Sequence, residues 1–230
     1  MIDNCTVIYY TANFAPEKFI RKNQDLLLKA IGNAPLISVS QKPIHFGYNI
    51  CVGDIGRSHL NIYRQALIGA KEATTKYIAL AEDDIMYAPE HFDHTPTPGF
   101  FAYDINVWMF YEFYKPRIFS YKGRINMNSL ICERELFIET IEERFKKWPD
   151  DSKIHLENWS EPGKNAYEEN LGVTKRQKET FMATVPSIAF YHPAALSYLH
   201  LGKRKNIGEI KKEILEPWGN AKDMPGYYHK

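Results

Sequence analysis

Residues 1–90 alternate short apolar runs with amphipathic stretches, and this alternation most limits the folds open to the chain. Val7-Ile8-Tyr9-Tyr10-Thr11 reads as a buried strand. Pro16 then opens a helix where its missing N–H costs nothing. Phe19, Ile20, Leu27 and Ile31 recur at helical spacing, and Gly32-Asn33 stops the helix. Leu36 to Ser40 is a second strand, closed by Pro43, and Ile50-Cys51-Val52 a third, shorter one. A helix over Gly56 to Ala73 has Leu60, Tyr63, Leu67 and Ala70 on its core stripe and Arg57, Asn61 and Arg64 on another face. Lys76 to Ala81 is the next strand, and Pro89 begins a short helix. Alternation of this kind predicts an α/β fold with a mostly parallel central sheet flanked by helices. Such sheets take their ligands at the carboxyl ends of the strands.

At one such end stands Glu82-Asp83-Asp84, three carboxylates directly after an apolar run. They repel one another and are costly to desolvate without a cation. Alternate side chains of a strand share a face, so Glu82 and Asp84 are expected on one side and Asp83 on the other. Paired carboxylates at a strand end are the oxygen ligands that Mg²⁺ or Mn²⁺ takes alongside substrate phosphates. A solvated acidic turn is the plainer alternative.

The second half is less regular. Residues 103–110 read as one strand, with Ile118 to Tyr121 as a hairpin partner. Glu133 to Trp148 is a helix with Leu136, Phe137, Ile141 and Phe145 inward, broken by Pro149. Ile154 to Lys164 is a loop carrying Glu157, Trp159 and Glu161. Lys175 to Ala183 reads as helical and Pro186 to Tyr191 as a strand. These elements define one domain over residues 1–215, in two halves (1–90 and 91–215), with a tail from Glu216, rich in Pro and Gly and expected to be loose.

Composition narrows the partners. A net charge of +1 leaves a nucleic-acid binder dependent on local basic patches, of which Lys203 to Lys212 and Lys175-Arg176-Gln177-Lys178 are the candidates. Three isolated cysteines with no CxxC pair argue against a zinc site and for a reducing compartment. No apolar run reaches the ~18 residues of a membrane span. The expected location is the cytoplasm.

The order of these pieces resembles that of the GT-A-type glycosyltransferases. Glu82-Asp83-Asp84 resembles the family's DxD motif, with glutamate in the first place. Arg57 through Arg64-Gln65 resembles its donor-side helix. Asn126-Met127-Asn128-Ser129, followed by Arg134-Glu135-Leu136-Phe137, resembles the segment closing the acceptor side. His200-Leu201-Gly202-Lys203-Arg204-Lys205 resembles the late His-x-Gly-basic segment. The likeness spans residues 5–207. It implies a nucleotide-diphosphate-sugar donor, a hydroxyl acceptor and Mn²⁺ or Mg²⁺. Asp84 and His200 are then metal ligands, and Glu82 is either a further ligand or a ribose contact. Asp83 orients the loop or the donor sugar. Thr11 and Asn13 sit where the family holds base and ribose, Arg64 points toward the donor, and Lys203, Arg204 and Lys205 contact phosphates.

For the general base, the loop offers Glu161 in a Pro-Gly turn, with Glu157 as the other choice. Inverting and retaining transfer both remain open. In outline the chain also resembles the compact phage glycosyltransferases, including the group associated with hydroxymethylated pyrimidines in DNA. The acceptor is accordingly either such DNA or a cell-surface glycan. Two other classes compete: a nucleotidyltransferase of related fold, and a non-catalytic sugar- or nucleic-acid-binding module. The first lacks its Gly-rich phosphate loop here, since Thr11-Ala12-Asn13-Phe14 follows the first strand.

Overall fold

Strand β1 (Cys5–Thr11) is the axis of the fold, because its alternate side chains enter two different cores. Ile8 and Tyr10 face one layer of helices, and Cys5, Val7 and Tyr9 face the other. The computed structural model describes residues 2–149, 159–192 and 208–224. Within them the chain continues through α1 (Glu17–Ile31), β2 (Leu36–Ser40), β3 (Tyr48–Cys51), α2 (His59–Glu72) and β4 (Tyr77–Glu82). These are the elements that the apolar pattern predicts, each displaced by at most a few residues.

A seven-stranded sheet forms in the order β10-β6-β9-β4-β1-β2-β3, with β6 (Phe100–Asp104), β9 (Leu130–Glu133) and β10 (Gln177–Phe181). β9 alone is antiparallel to its neighbours. Helices α2, α3 (Arg134–Lys147) and α4 (Asn165–Leu171) cover one face and α1 the other. Gly69 lets α2 sit directly on β1: a Cβ there would lie 2.4 Å from Ile8 Cγ2. The fold is α/β with a mixed, mostly parallel central sheet flanked by helices.

A second sheet, in the order β12-β8-β7-β11-β5, stands beside the first. It comprises β5 (Ile85–Met86), β7 (Val107–Tyr111), β8 (Ile118–Tyr121), β11 (Ser187–Phe190) and β12 (Ile210–Lys212). Two sequence readings change here. The strand expected over 103–110 is two strands in different sheets. Asp104 breaks it, since its Oδ1 accepts from Asn106 N (2.8 Å) and Ala183 N (3.2 Å) and turns the chain between layers. The helix expected over Lys175 to Ala183 is instead β10, a polar edge strand parallel to β6, and edge pairing overrides its helical composition. The segment expected to be loose from Glu216 is folded through Met224. β13 (Ile214–Leu215) pairs with β14 (Gly219–Asn220), and Leu215, Ala221 and Met224 are buried with Phe110 and Phe119. Among the described residues no helix is long and apolar enough to cross a membrane.

Candidate active site

The carboxyl ends of β1 and β4 open into a cleft of about 1340 Å³, whose far wall is built by the second half of the chain. Register places Tyr10 beside Glu82, so the last residues of the two strands share one edge. Strand β4 ends at Glu82, and Asp83-Asp84 form the turn into β5. The face-alternation expected for Glu82 and Asp84 therefore does not hold, because the strand stops before it can apply. All three carboxylates line the cleft, each with a different partner.

Glu82 accepts from the Tyr10 hydroxyl and from Asn128 Nδ2, both at 2.9 Å. Its N–H donates to the Tyr87 hydroxyl (3.1 Å), which donates in turn to Asn128 O (2.9 Å). Burial first, and then the charge of Asp84, push the Glu82 carboxyl up to about 8. Asp83 accepts from the Thr11 hydroxyl, and the same two causes raise it to about 6. Asp84 lies against His192, with Nε2 3.2 Å from Oδ2. The second sheet delivers that histidine: β11 pairs with β5, Phe190 N donates to Asp84 O (2.9 Å), and His192 follows two residues on.

His192 is a cleft residue that sequence reasoning did not single out. Its signal was its position, closing an apolar strand run at Tyr191-His192-Pro193. His200, Glu157, Lys203, Arg204 and Lys205 lie outside the described residues.

Thr11 and Asn13 brace the strand ends. Thr11 Oγ1 accepts from Asn13 N (2.9 Å), and Thr11 O accepts from Gln65 Nε2 (2.9 Å). Asn13, at φ 56°, accepts from Gln41 N and Lys42 N at 2.9 Å each. Its side chain thus turns to the backbone, whereas Thr11 lines the cleft. Arg64 is also turned away: it donates to Asn61 Oδ1 (2.7 Å) and Pro149 O (2.8 Å). Arg57 and Arg124 both line the cleft, and the Arg57 guanidinium lies 4.4 Å above the exposed ring of Phe14. Beside it Ser58 caps α2, its hydroxyl accepting from Asn61 N (3.1 Å). That helix start offers a favourable potential to anions.

On the far wall Glu161 lines the same cleft and accepts from Ser160 Oγ (2.8 Å) and from Lys164 Nζ. Trp159 is buried between Tyr63 (5.3 Å) and Phe145 (5.0 Å), so it serves mainly as packing. The basic run at Lys175 is neutralised: Lys175 pairs with Glu169, and Arg176 with Glu139 and Glu143.

Carboxylate and imidazole together make a donor set that accepts divalent first-row ions such as Mn²⁺. Among the described residues no three His, Cys, Asp or Glu side chains are grouped to hold a metal ion alone. An ion held by Asp84 and His192 would thus take its remaining oxygens from substrate phosphates and water, the usual mode for Mg²⁺-type sites.

Three solved structures share part of this architecture. One is a glycosyltransferase involved in the glycosylation of the major capsid of PBCV-1, at 12% identity and TM-score 0.46, covering 80% of this chain and 92% of that one. The apo-form glycosyltransferase GlyE of Streptococcus pneumoniae TIGR4 matches at 8% identity and TM-score 0.44, over 76% of this chain and 44% of its own. TarS of S. aureus matches at 10% identity and TM-score 0.37, over 83% of this chain and 37% of its own. The chain thus spans less than half of the latter two. No family model and no curated protein matches it. These likenesses are faint, and it is the chemistry of the site that bears on function.

Proposed function

We propose that this chain is a metal-dependent glycosyltransferase that moves a sugar from a nucleotide-diphosphate sugar to a hydroxyl acceptor. One observation carries the reading: Asp83-Asp84 and His192 meet at the carboxyl end of β4, in a single cleft that Glu161 enters from the other wall. Asp84 and His192 would hold Mn²⁺ or Mg²⁺. Such an ion, when bound, neutralises charge on the departing diphosphate.

The chain's own groups supply the rest. Arg57 and the start of α2 offer positive potential where the diphosphate develops charge. Asp83, fixed by Thr11, and Glu82, fixed by Tyr10 and Asn128, shape the donor side. Glu161 takes the proton from the acceptor hydroxyl as the oxygen bonds to the sugar's anomeric carbon and the bond to phosphate breaks. We take the acceptor as a glycan hydroxyl rather than DNA, since in one of the two basic patches carboxylates neutralise Lys175 and Arg176.

Melting temperatures taken with a panel of UDP-, GDP- and dTDP-sugars, with and without Mn²⁺, test this. One donor should stabilise the protein only when Mn²⁺ is present. If no donor stabilises it under either condition, the reading falls.

A further inference from the structure

The loop that presents Glu161 is held by side chains from four different elements. Arg144 of α3 donates to Ser160 O (2.6 Å). The Tyr103 hydroxyl, at the end of β6, donates to Pro162 O (2.8 Å). Glu168 of α4 accepts from Gly163 N (2.8 Å), and Lys178 of β10 donates to Gly163 O (2.8 Å). Arg144 and Glu168 also pair with each other at 3.2 Å, their side chains 1% and 0% exposed. Glu168 further accepts from Arg176 N (3.0 Å), which fastens α4 to the edge strand.

A buried ion pair is a poor choice for stability alone. Desolvating two charges costs about what their attraction returns, and apolar residues of like volume often serve as well. What the pair does supply here is direction. The planar guanidinium reaches the Ser160 carbonyl and the Glu168 carboxylate at once. The carboxylate fixes the next amide but two, at Gly163, which sits at φ 85° where a Cβ would strike Lys178 at 2.6 Å. Between those anchors the chain has little freedom, and Glu161 is the side chain left facing the cleft.

We propose that the Arg144–Glu168 pair, with Tyr103, is a positioning device that holds Glu161 in its catalytic orientation. This rests on the transferase reading above. None of the three residues is catalytic itself; they act through Glu161. A merely structural role predicts that activity follows stability, whereas a positioning role predicts that turnover falls in a protein that remains folded.

The probe is donor hydrolysis, with water as acceptor: release of nucleotide diphosphate from the UDP-, GDP- or dTDP-sugar that the wild type uses with Mn²⁺. Three variants are compared with wild type: Tyr103→Phe, which keeps the ring and removes one hydrogen bond; Arg144→Lys, which keeps the charge; and the double variant Arg144→Met/Glu168→Leu. All three should lower kcat, by roughly threefold for Tyr103→Phe and on the order of 10²-fold for the double variant. The KM for donor should stay within about twofold, because the donor subsite lies on the other wall. The double variant strips Ser160 O, Gly163 N and Arg176 N of their partners and should melt lower than wild type, so Tyr103→Phe and Arg144→Lys carry the comparison with stability. If Tyr103→Phe and any other variant that folds turn over at the wild-type kcat, the positioning role is overturned. In Tyr103→Phe or Arg144→Lys, a kcat loss matched by a proportionate loss of melting temperature overturns it too. If the wild type hydrolyses no donor, the transferase reading fails first and the inference with it.

Discussion

Glu82 reports the charge stored at the end of β4. Burial first, and then Asp84, raise it from an ordinary 4.5 to about 8, against the hydrogen bonds from Asn128 and Tyr10. The unfolded chain releases this proton near 4.5, while the folded chain keeps it until about 8. Across that window the native state holds more protons than the unfolded state, so stability falls as pH rises. This is the reverse of a salt-bridged carboxylate, whose contribution appears as pH rises. One proton limits the slope to ~1.4 kcal/mol per pH unit. The loss by pH ~8 is then on the order of a few kcal/mol, a large share of a typical domain's stability. Asp83, raised to about 6 by the same causes, steepens the lower part of the window. Urea unfolding followed by tryptophan fluorescence, in EDTA and at steps from pH ~5 to ~8, measures the slope. Glu82→Gln removes the titration and keeps the shape. Asn128 Oδ1 has no partner among the described residues, so turning that amide over offers an acceptor to the new N–H groups. The variant's curve should be flatter. A wild-type stability that rises with pH, or an unchanged slope in Glu82→Gln, would refute the reasoning.

Other parts of the molecule are equally open to test. Gly69→Ala drives a methyl into Ile8 and should cost ~1–3 kcal/mol in urea unfolding; an unchanged midpoint would mean that α2 does not sit where described. Asn13→Ala leaves the amides of Gln41 and Lys42 without their shared acceptor and should cost ~1–3 kcal/mol; a neutral result would show that water replaces it. Burial pushes the Cys5 thiol up to about 12, whereas Cys51 is exposed. Iodoacetamide at neutral pH followed by peptide mass mapping should therefore label Cys51 and spare Cys5, and the opposite order would contradict the placement of β1.

The first half was legible because each element carried its own punctuation. The apolar run of β1, the Pro16 and Gly32 limits of α1, and the stripe of α2 are local signals, and the structure follows them. The second half depends on pairings that span the chain. β9 is four residues long and runs straight into α3 with no turn between them, so nothing local marks it as a strand. β10 is charged because it is an edge, and charge at that spacing reads as helix. At the site, the place of the acidic turn at the carboxyl end of a strand was legible. Its internal geometry was not, because face-alternation holds only while the strand continues, and β4 ends at Glu82. His192 could not be picked out without knowing that β11 lies beside β5. The resemblance aimed Arg64 at the donor, yet Pro149 O, 85 positions away, holds its guanidinium off the cleft.

The central claim is that Asp84 and His192 form the metal-dependent wall of a glycosyl-transfer cleft. It is tested most directly by Mn²⁺-dependent release of nucleotide diphosphate from the donor that stabilises the wild type. The assay compares Asp84→Asn, His192→Ala and His200→Ala, all shown to be folded by circular dichroism. Asp84→Asn and His192→Ala should each lose activity on the order of 10²-fold, with His192→Ala as damaging as Asp84→Asn. Full metal-dependent turnover in both would contradict the claim.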